Sequence, residues 1–409
     1  QDAIGEVTDG VKSEIWVAEG IYYPAPIDGD FPPSRSSAFY LESNVSVYGG
    51  FAGDELGRAG RDWTTHVTIL SGDIDQNFTG ADVNVNGVVT LQLDGDNNVT
   101  NPRGDNSYHV LNVELDSEIR VDGFTVTGGL ADGTESTGRG GGLLFNSAGA
   151  VLENMIFEGN AAVGSGGAVW IGASQVTMAN TTVRKNMGTT TFRVQGSVTQ
   201  FSLQDSRVED NPAVGFLAST DGGVYYVDRT SFLRNTIAVI VQDGAAATMS
   251  NSLIAGNSLG AARIQLGAVA TFNNSSLIGN HLATGGAGLW VSASTVNLNN
   301  SVLWNNSSPD VSAADASVRL TGGGVANFNT SLVEDWSGDG LIPGDNPVID
   351  VGETGTDYGT AVVGNLHAPD GSPLIDAGEA SVVFGTLDLD GNARTQGVSV
   401  DIGAYERSE

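Results

Sequence analysis

A nine-residue block recurs through the middle of the chain and limits its possible folds more than any other feature. Its general pattern is apolar-x-(Asn/Asp)-(Ser/Thr)-x-apolar-x-x-Asn, as in LENMIFEGN (152–160) and FNNSSLIGN (272–280). Successive blocks end on asparagines that lie 22 to 26 residues apart: Asn160, Asn186, Asn211, Asn235, Asn257, Asn280 and Asn306. A nearly constant period of this length is typical of a repeat protein.

The apolar positions inside each block alternate with period two, which predicts strands and not helices. A second alternating run precedes each block, for example GGAVWI (166–171) and GLWVS (288–292). Strands this short cannot enclose a core alone, but stacked coils pair every strand with the coil above and below. The sequence therefore predicts an all-β fold, a single-stranded right-handed parallel β-helix (solenoid) with 22–26-residue coils and end caps.

The block also predicts where its side chains lie. The first and sixth positions, such as Leu152 and Phe157, are expected to face inward. The small fourth residue is expected to face inward too, with its hydroxyl bonded to a backbone carbonyl. The final asparagine is expected at a turn with left-handed backbone geometry, its amide bonded to the next coil. Such a column fixes the register of the coils, so these asparagines are predicted to be structural and not catalytic.

The regularity of the period predicts three regions. Residues 1–114 are expected to form an N-terminal cap and irregular coils with long loops, and residues 115–336 the regular coils. Residues 337–409, rich in Gly, Pro and Asp, are expected to form a C-terminal capping segment. The end coils of a solenoid are open strand edges, so both ends need a cover.

The charge balance excludes one large class of partners. The chain has 48 acidic and 17 basic side chains and a net charge of −31, which argues against nucleic acid. We find no apolar run long enough for a membrane span and no signal peptide, so we expect a mature or trimmed fragment. The absence of cysteine excludes disulfides. Strong acidity with only two lysines is typical of an exported protein.

Both ends of the chain carry motifs of a known family. The N-terminal motifs are EIWVAEGIYYP (15–25), VYGGFAGDE (47–55) and RDWTTHVTILSGDID (61–75). The C-terminal motifs are SPLIDAG (372–378), DLDGN (388–392) and VDIGAYE (400–406). Together they resemble the choice-of-anchor Q domain-containing bacterial surface proteins. The resemblance implies a β-helix exported to the bacterial cell surface, with an anchor absent or removed here, and it implies no activity. The pair FEGN and GGAV more weakly resembles polymorphic outer-membrane adhesin repeats.

The strand before each block suggests a binding surface. The residues expected to face outward from it are Trp170, Arg193, Arg263, Gln265, Trp290 and Arg319. Aromatic faces stack on sugar rings, and arginine binds hydroxyls, carboxylates or sulfates. We therefore expect an extracellular glycan as partner, besides neighbouring surface proteins and a second copy of this chain. The alternative is that these side chains pack under loops, or in the core if the register is shifted by one residue.

Catalysis on a polysaccharide is the main alternative function. A glycoside hydrolase needs two carboxylates, and a polysaccharide lyase needs a base near a cation. The best candidates for such chemistry are Glu209, Asp210, Arg184, Lys185 and Arg207. Alternating charges on stacked strands more often form exposed ion pairs, so no catalytic residue is assigned. The four histidines are too scattered to predict a zinc site.

One loop suggests a structural calcium ion. DLDGN places Asp388, Asp390 and Asn392 at alternate positions with a glycine between, as at the start of an EF-type loop. The bidentate glutamate of such a loop is missing, because Ser399 stands in its place. The alternative is an ordinary Asx-turn cluster.

Overall fold

The structure is a computed structural model that describes residues 13–25, 33–41, 44–77, 82–84, 87–90, 92, 105–113, 118–146, 149–172, 175–195, 200–219, 222–342, 346–347, 349–353, 355–356 and 359–407. It is a right-handed parallel β-helix, so the predicted fold class is confirmed. The chain divides into two compact units. The N-terminal unit comprises 1–201 and 211–213, and the C-terminal unit comprises 202–210 and 214–409.

Each turn of the N-terminal unit passes through three sheets, A, B and C, whose neighbouring strands run parallel. Sheet A contains β1 (Ser13–Ala18), β4 (Val45–Phe51), β7 (Glu118–Asp122), β11 (Gly149–Glu153) and β15 (Gln175–Ala179). Sheet B contains β2 (Gly20–Tyr22), β5 (Thr68–Ser71), β8 (Phe124–Thr127), β12 (Ile156–Glu158) and β16 (Thr182–Arg184). Sheet C contains β3 (Phe39–Tyr40), β6 (Leu111–Val113), β10 (Leu143–Phe145), β14 (Ser165–Ile171) and β17 (Thr190–Val194). A two-stranded sheet pairs β9 (Leu130–Ala131) with β13 (Ala161–Ala162), and β18 (Gln200–Gln204) spans the division between the units.

The C-terminal unit is likewise built from three sheets of parallel strands, labelled A, B and C in the same way. Sheet A contains β21 (Val224–Asp228), β24 (Ala246–Ser250), β27 (Val269–Asn273), β30 (Thr295–Asn299) and β33 (Val325–Asn329). Sheet B contains β19 (Arg207–Glu209), β22 (Ser231–Leu233), β25 (Leu253–Ala255), β28 (Ser276–Ile278), β31 (Val302–Trp304) and β34 (Leu332–Val333). Sheet C contains β20 (Val214–Ser219), β23 (Ile237–Gln242), β26 (Ala262–Gln265), β29 (Leu289–Ser292) and β32 (Val318–Thr321).

Elements outside the three sheets are short. A small antiparallel pair joins β35 (Gly352–Glu353) to β36 (Val362–Val363), and the helix α1 spans Ala313–Ser317. Single 3-10 turns occur at Arg58–Gly60, Glu135–Gly138 and Ala380–Val382. In the part of the chain that the structure describes, no helix has the length and apolarity needed to cross a bilayer.

The core consists of columns of apolar side chains at the first and sixth positions of each block. In the C-terminal unit, Met249, Phe272 and Leu298 stack on successive strands of sheet A and are fully buried. Phe232 and Leu277 lie at the sixth position in sheet B and are equally buried. The prediction that these two positions face inward is therefore confirmed, and burial of such columns is the main stabilising term for a fold of short strands.

Each block forms two sharp corners, and the left-handed residues lie at its third and eighth positions. The third-position residues with positive φ are Asn154, Asn180, Asp205, Arg229, Asn251, Asn274 and Asn300. Those at the eighth position are Gly159, Lys185, Asp210, Arg234, Gly256, Gly279 and Asn305. The prediction that the final asparagine is left-handed is wrong. Asn and Gly are common at the third and eighth positions because they tolerate positive φ best.

The final asparagines lie buried directly after the second corner. The Asn257 backbone N–H donates to Asn280 Oδ1 at 3.1 Å, and the Asn280 N–H donates to Asn306 Oδ1 at 3.1 Å. Asn280 Nδ2 in turn donates to the Ile254 carbonyl of the preceding coil at 3.0 Å. In the N-terminal unit, Asn186 bonds in the same way to Asn211. These side chains thus replace the backbone bonds between coils that the turn from sheet B to sheet C interrupts.

The C-terminal segment covers the outer side of sheet B in the C-terminal unit. Its apolar residues join one buried cluster with residues of that sheet; the cluster includes Leu253, Ile278, Val302, Leu332, Ile349, Leu366, Leu374 and Ile402. Corner asparagines hold the segment, since Asn300 Nδ2 donates to the Glu379 carbonyl and Asn300 Oδ1 accepts from the Glu379 N–H. The sequence suggested that this segment covers the open end of the stacked coils, whereas most of it lies along the outer side of sheet B.

Candidate functional site

The outward-facing residues of sheet C in the C-terminal unit form two columns across its strands. The first column is Leu217, Ile240, Arg263, Trp290 and Arg319. The second column is Ser219, Gln242, Gln265, Ser292 and Thr321. Neither column contains an acidic residue. We call the surface formed by Arg263, Gln265, Trp290, Arg319 and Thr321 the sheet C face.

Trp290 is at the centre of the sheet C face. It is partly exposed, and its indole Nε1 donates to Thr321 Oγ1 at 3.1 Å. The Arg263 guanidinium lies 5.5 Å from the centroid of the Trp290 ring, within the range of a cation–π contact. Beside them, Gln265 Nε2 donates to Gln242 Oε1 at 2.8 Å. The strand register thus holds an indole ring between two arginines, with amide and hydroxyl groups alongside.

The arginines of the sheet C face differ in their partners from most of the other arginines. Ten arginines form ion pairs with carboxylates: Arg35, Arg58, Arg61, Arg120, Arg184, Arg207, Arg229, Arg234, Arg394 and Arg407. Within the described ranges, neither Arg263 nor Arg319 has a carboxylate within the 4.0 Å of an ion pair. Arg263 Nη2 donates only a long bond, 3.4 Å, to the Leu259 carbonyl, and its Nε is buried with no partner in those ranges. Burial lowers the pKa of Arg263 below its usual value.

A glycine-rich loop borders the sheet C face. A Cβ on Gly286 would lie 2.4 Å from the Leu289 carbonyl oxygen and 2.8 Å from Arg319 Cβ. A Cβ on Gly285 would lie 3.6 Å from the Trp290 ring. The run of small residues before β29 therefore lets the backbone pass close to both side chains.

The other two residues of the predicted stripe lie in the N-terminal unit, where Trp170 and Arg193 are register partners on β14 and β17. Trp170 is only 6% exposed, and the Arg139 guanidinium lies 4.7 Å from its ring centroid. Trp170 therefore lacks the accessible ring that the sequence suggested, because a loop residue from the preceding coil covers it. Arg193 Nε donates to Gln195 Oε1 at 2.8 Å.

The charged residues considered for catalysis form ion pairs with one another. In the N-terminal unit, Arg184 Nε and Lys185 Nζ lie 2.8 and 3.1 Å from carboxylate oxygens of the buried Glu158. In the C-terminal unit, Arg207 lies 2.8 Å from Glu209. A further partner, Arg234, contacts both Glu209, at 3.3 Å, and Asp210, at 2.7 Å.

This arrangement favours the ion-pair alternative over catalysis. Lys185 and Asp210 both lie at left-handed corners of the coil, which are structural positions of the repeat. The bidentate contact with Asp210 raises the pKa of Arg234, because the carboxylate stabilises the charged guanidinium. The Glu209 and Asp210 carboxylates are thus engaged in ion pairs with Arg207 and Arg234.

A polar cleft lies between sheet B and the C-terminal segment within the C-terminal unit. Its volume is about 410 Å³, and its lining includes Arg207, Arg229, His367, Asp390 and Tyr405. The His367 and Tyr405 ring centroids are 4.1 Å apart. Sequence reasoning missed this cleft because the C-terminal segment has no repeat period from which its position on sheet B could be predicted.

Both ring nitrogens of His367 have partners in the cleft. Nε2 lies 2.6 Å from Asp390 Oδ2, and Nδ1 lies 2.8 Å from Asn365 Oδ1. Asn365 Oδ1 also accepts the His367 backbone N–H at 3.2 Å, which identifies that atom as the oxygen. Both ring nitrogens are thus engaged within the cleft, so this geometry suits a structural or binding histidine better than a general base.

The loop considered for calcium uses its oxygens internally. Asp388 is fully buried; its Oδ1 accepts from the Asn392 N–H at 2.7 Å and its Oδ2 from the Glu406 N–H at 2.8 Å. Asp390 contacts His367 as described above, and the described residues contain no cluster of three or more metal-ligand side chains. This geometry favours the Asx-turn alternative, because backbone amides already neutralise the oxygens that a cation would need.

Comparisons with known proteins agree with a β-helix. A family model described as "Right handed beta helix region" matches residues 62–237, which is less than half of the chain. No curated protein matches. A pectate lyase, Pel9A, is similar at 14% identity over 100% of this chain and 90% of its own, with a TM-score of 0.49. The tailspike protein gp49 of Acinetobacter baumannii bacteriophage Fri1, a capsular polysaccharide depolymerase, is similar at 12% identity over 78% of this chain and 57% of its own, with a TM-score of 0.33. Likenesses this distant carry no argument about the chemistry of this chain.

Proposed function

We propose that this protein is a non-catalytic glycan-binding module. The observation that carries the proposal is the sheet C face, where Trp290 lies in register between two arginines that have no carboxylate partner in the described ranges. An indole ring offers an apolar surface to the C–H face of a sugar, and the neighbouring guanidinium, amide and hydroxyl groups bond to its hydroxyls.

The proposal extends to a role outside the cell. The high negative charge and the motifs that resemble those of choice-of-anchor Q proteins favour an exported protein displayed on a bacterial surface. A stack of short coils is a rigid support, and a site built on strands holds its side chains more precisely than a site on loops. An adhesin or a component of an extracellular assembly fits this combination.

Retention on an array of extracellular glycans tests the proposal. We expect the wild-type protein to bind at least one class of glycan and the Trp290→Ala variant to lose at least about tenfold in affinity, because the stacking surface is removed. Trp16→Ala is the matched control, since Trp16 is 43% exposed in the N-terminal unit and stacks on Phe51. Binding to no glycan, or equal binding by the Trp290→Ala variant, would refute the proposal.

A polysaccharide lyase or glycoside hydrolase is the second candidate. The cleft that holds Arg207, His367 and Tyr405 favours it, because it combines a cation with titratable side chains. Depolymerisation of acidic and neutral glycans, assayed with Glu209→Gln and Arg207→Ala beside the wild type, separates the two functions. The binding proposal expects no cleavage by any of the three proteins. Cleavage that either substitution abolishes would establish the enzyme.

A further inference from the structure

We propose that the ligand of the sheet C face is an acidic polysaccharide that carries its anionic group on every second sugar. This inference rests on the proposed function and names its substrate class. The chain of sugars would run across the strands of sheet C, with acidic groups at Arg263 and Arg319 and a neutral sugar on Trp290.

The first argument is that the two arginines have no carboxylate partner in the described ranges. In a chain with 48 acidic side chains, ten arginines are paired with carboxylates. Among the residues that the structure describes, Arg263 and Arg319 are not paired with one, and neither is Arg139, which lies over the ring of Trp170. The two outward columns of sheet C contain no acidic residue that could reach them along the face. A partly buried guanidinium without a counter-ion is costly, and an acidic ligand would supply the missing bidentate partner.

The second argument is the spacing of the charges. Arg263, Trp290 and Arg319 are direct register partners on three consecutive strands of sheet C. Neighbouring strands are about 4.8 Å apart, so the backbone positions of the two arginines, which lie two strands apart, are separated by about 10 Å. That distance is comparable to the length of two linked sugars, which matches a repeating disaccharide with one acidic group.

The third argument is the ring between the arginines. The face of an indole carries negative electrostatic potential, so it attracts C–H groups and repels anions. A polymer with a carboxylate on every sugar would bring one of them over Trp290. The neighbouring Thr321 accepts the Trp290 N–H and keeps its own O–H as a donor for a neutral hydroxyl. The face is therefore positive at its ends and suited to a neutral sugar at its centre.

The negative charge of the whole protein does not exclude an acidic ligand. Exposed charges more than about 8 Å apart are largely screened at physiological ionic strength. The local arrangement of the face therefore decides the contact, while the net charge of −31 slows the approach of a polyanion at low salt.

The test measures dissociation constants by titration calorimetry with three oligosaccharide probes of equal length. The first is hyaluronan, in which glucuronate alternates with N-acetylglucosamine, and the second is its carboxyl-reduced form. The third is polygalacturonate, which carries a carboxylate on every sugar. We expect hyaluronan to bind at least about tenfold more tightly than either of the others.

The variants assign the preference to individual side chains. Arg263→Gln and Arg319→Gln are each expected to weaken hyaluronan about fivefold or more and to weaken carboxyl-reduced hyaluronan much less, because a neutral hydroxyl loses only an ordinary hydrogen bond. Trp290→Ala is expected to weaken both. Arg120→Gln is the matched control, since Arg120 is paired with Glu153 in the N-terminal unit. Circular dichroism and thermal unfolding of each variant verify that it is folded.

The outcomes separate this inference from the proposed function. If the carboxyl-reduced polymer binds as well as the native one and Trp290→Ala weakens both, the glycan-binding function stands and the acidic ligand is refuted. If polygalacturonate binds as tightly as hyaluronan, the spacing of the anionic groups is refuted. If none of the three probes binds, this inference is refuted, and the array described above decides the proposed function independently.

Discussion

The asparagine at the end of each block shows how one side chain can replace backbone pairing. Asn257 donates from its side chain to the Phe232 and Ala255 carbonyls at 3.2 Å, and to Asn280 Oδ1 at 2.8 Å. Its backbone N–H donates to the same Asn280 oxygen. Because the residue is fully buried, water cannot replace any of these bonds if the side chain is removed.

We therefore expect Asn257→Ala to lower the free energy of unfolding by about 3 kcal/mol, mostly from buried carbonyls left without a donor. Urea denaturation followed by circular dichroism measures the change. Asn327→Ala is the control, because Asn327 is exposed on sheet A and donates to Asn297 Oδ1 from the surface. A loss below about 1 kcal/mol for Asn257→Ala, or an equal loss for the control, would contradict the structural role of the column.

The sequence predicts which face of a sheet a side chain lies on, because side chains alternate between the two faces along a strand. The alternation places Trp290, Arg263 and Arg319 outward from sheet C, and the structure has them there. The cover over Trp170 was not predictable, because Arg139 comes from a loop outside the repeat. The left-handed corners at the third and eighth positions are harder to predict from the sequence, because Arg and Lys occupy some of these positions and Asn, Asp and Gly the others.

At the scale of elements, the C-terminal segment is held by buried polar groups as well as by its apolar cluster. Glu406 is 3% exposed and lies 3.6 Å from Arg394 Nε, and its Oε1 accepts the Asp401 N–H at 2.8 Å. Burial, opposed in part by the Asp401 amide and Arg394, raises the pKa of Glu406 to about 7. Asp401 and Asp388 add to this shift, because their charges repel an ionised neighbour.

This shift predicts how stability depends on pH. The carboxyl of Glu406 ionises near 4.5 in the unfolded chain and near 7 in the folded one, so between these values the folded state holds the extra proton. The stabilisation is complete below pH 4.5 and is lost as the pH rises through 7. Glu406→Gln removes this dependence, so the variant should match the wild type at pH 4 and exceed its free energy of unfolding at pH 8 by up to about 3 kcal/mol.

Denaturation of both proteins in urea from pH 4 to pH 8 measures the difference directly. The control is Glu353→Gln, which alters an exposed carboxylate on β35 of the same segment. If the difference between Glu406→Gln and the wild type does not change with pH, the buried carboxyl does not control the stability of the segment.

At the scale of the whole molecule, the sequence predicts the coils much better than the segment that follows them. Stacked coils repeat one pattern of inward, outward and corner positions, so fold class and core columns follow from the period. The flank of sheet B gives no such signal, because its outward positions are apolar at Leu253 and Val302, which the C-terminal segment covers, and also at Ile156 in the N-terminal unit. The cleft beside that segment depends on contacts distant in sequence and could not be predicted.

The most direct test of the account is X-ray diffraction from crystals of the protein grown with an acidic oligosaccharide of alternating charge. The account predicts a neutral sugar on the Trp290 ring, with acidic groups of the flanking sugars at Arg263 and Arg319. Sugar density in the cleft of Arg207, His367 and Tyr405, with Trp290 unoccupied at saturating ligand, would contradict it and favour the enzyme.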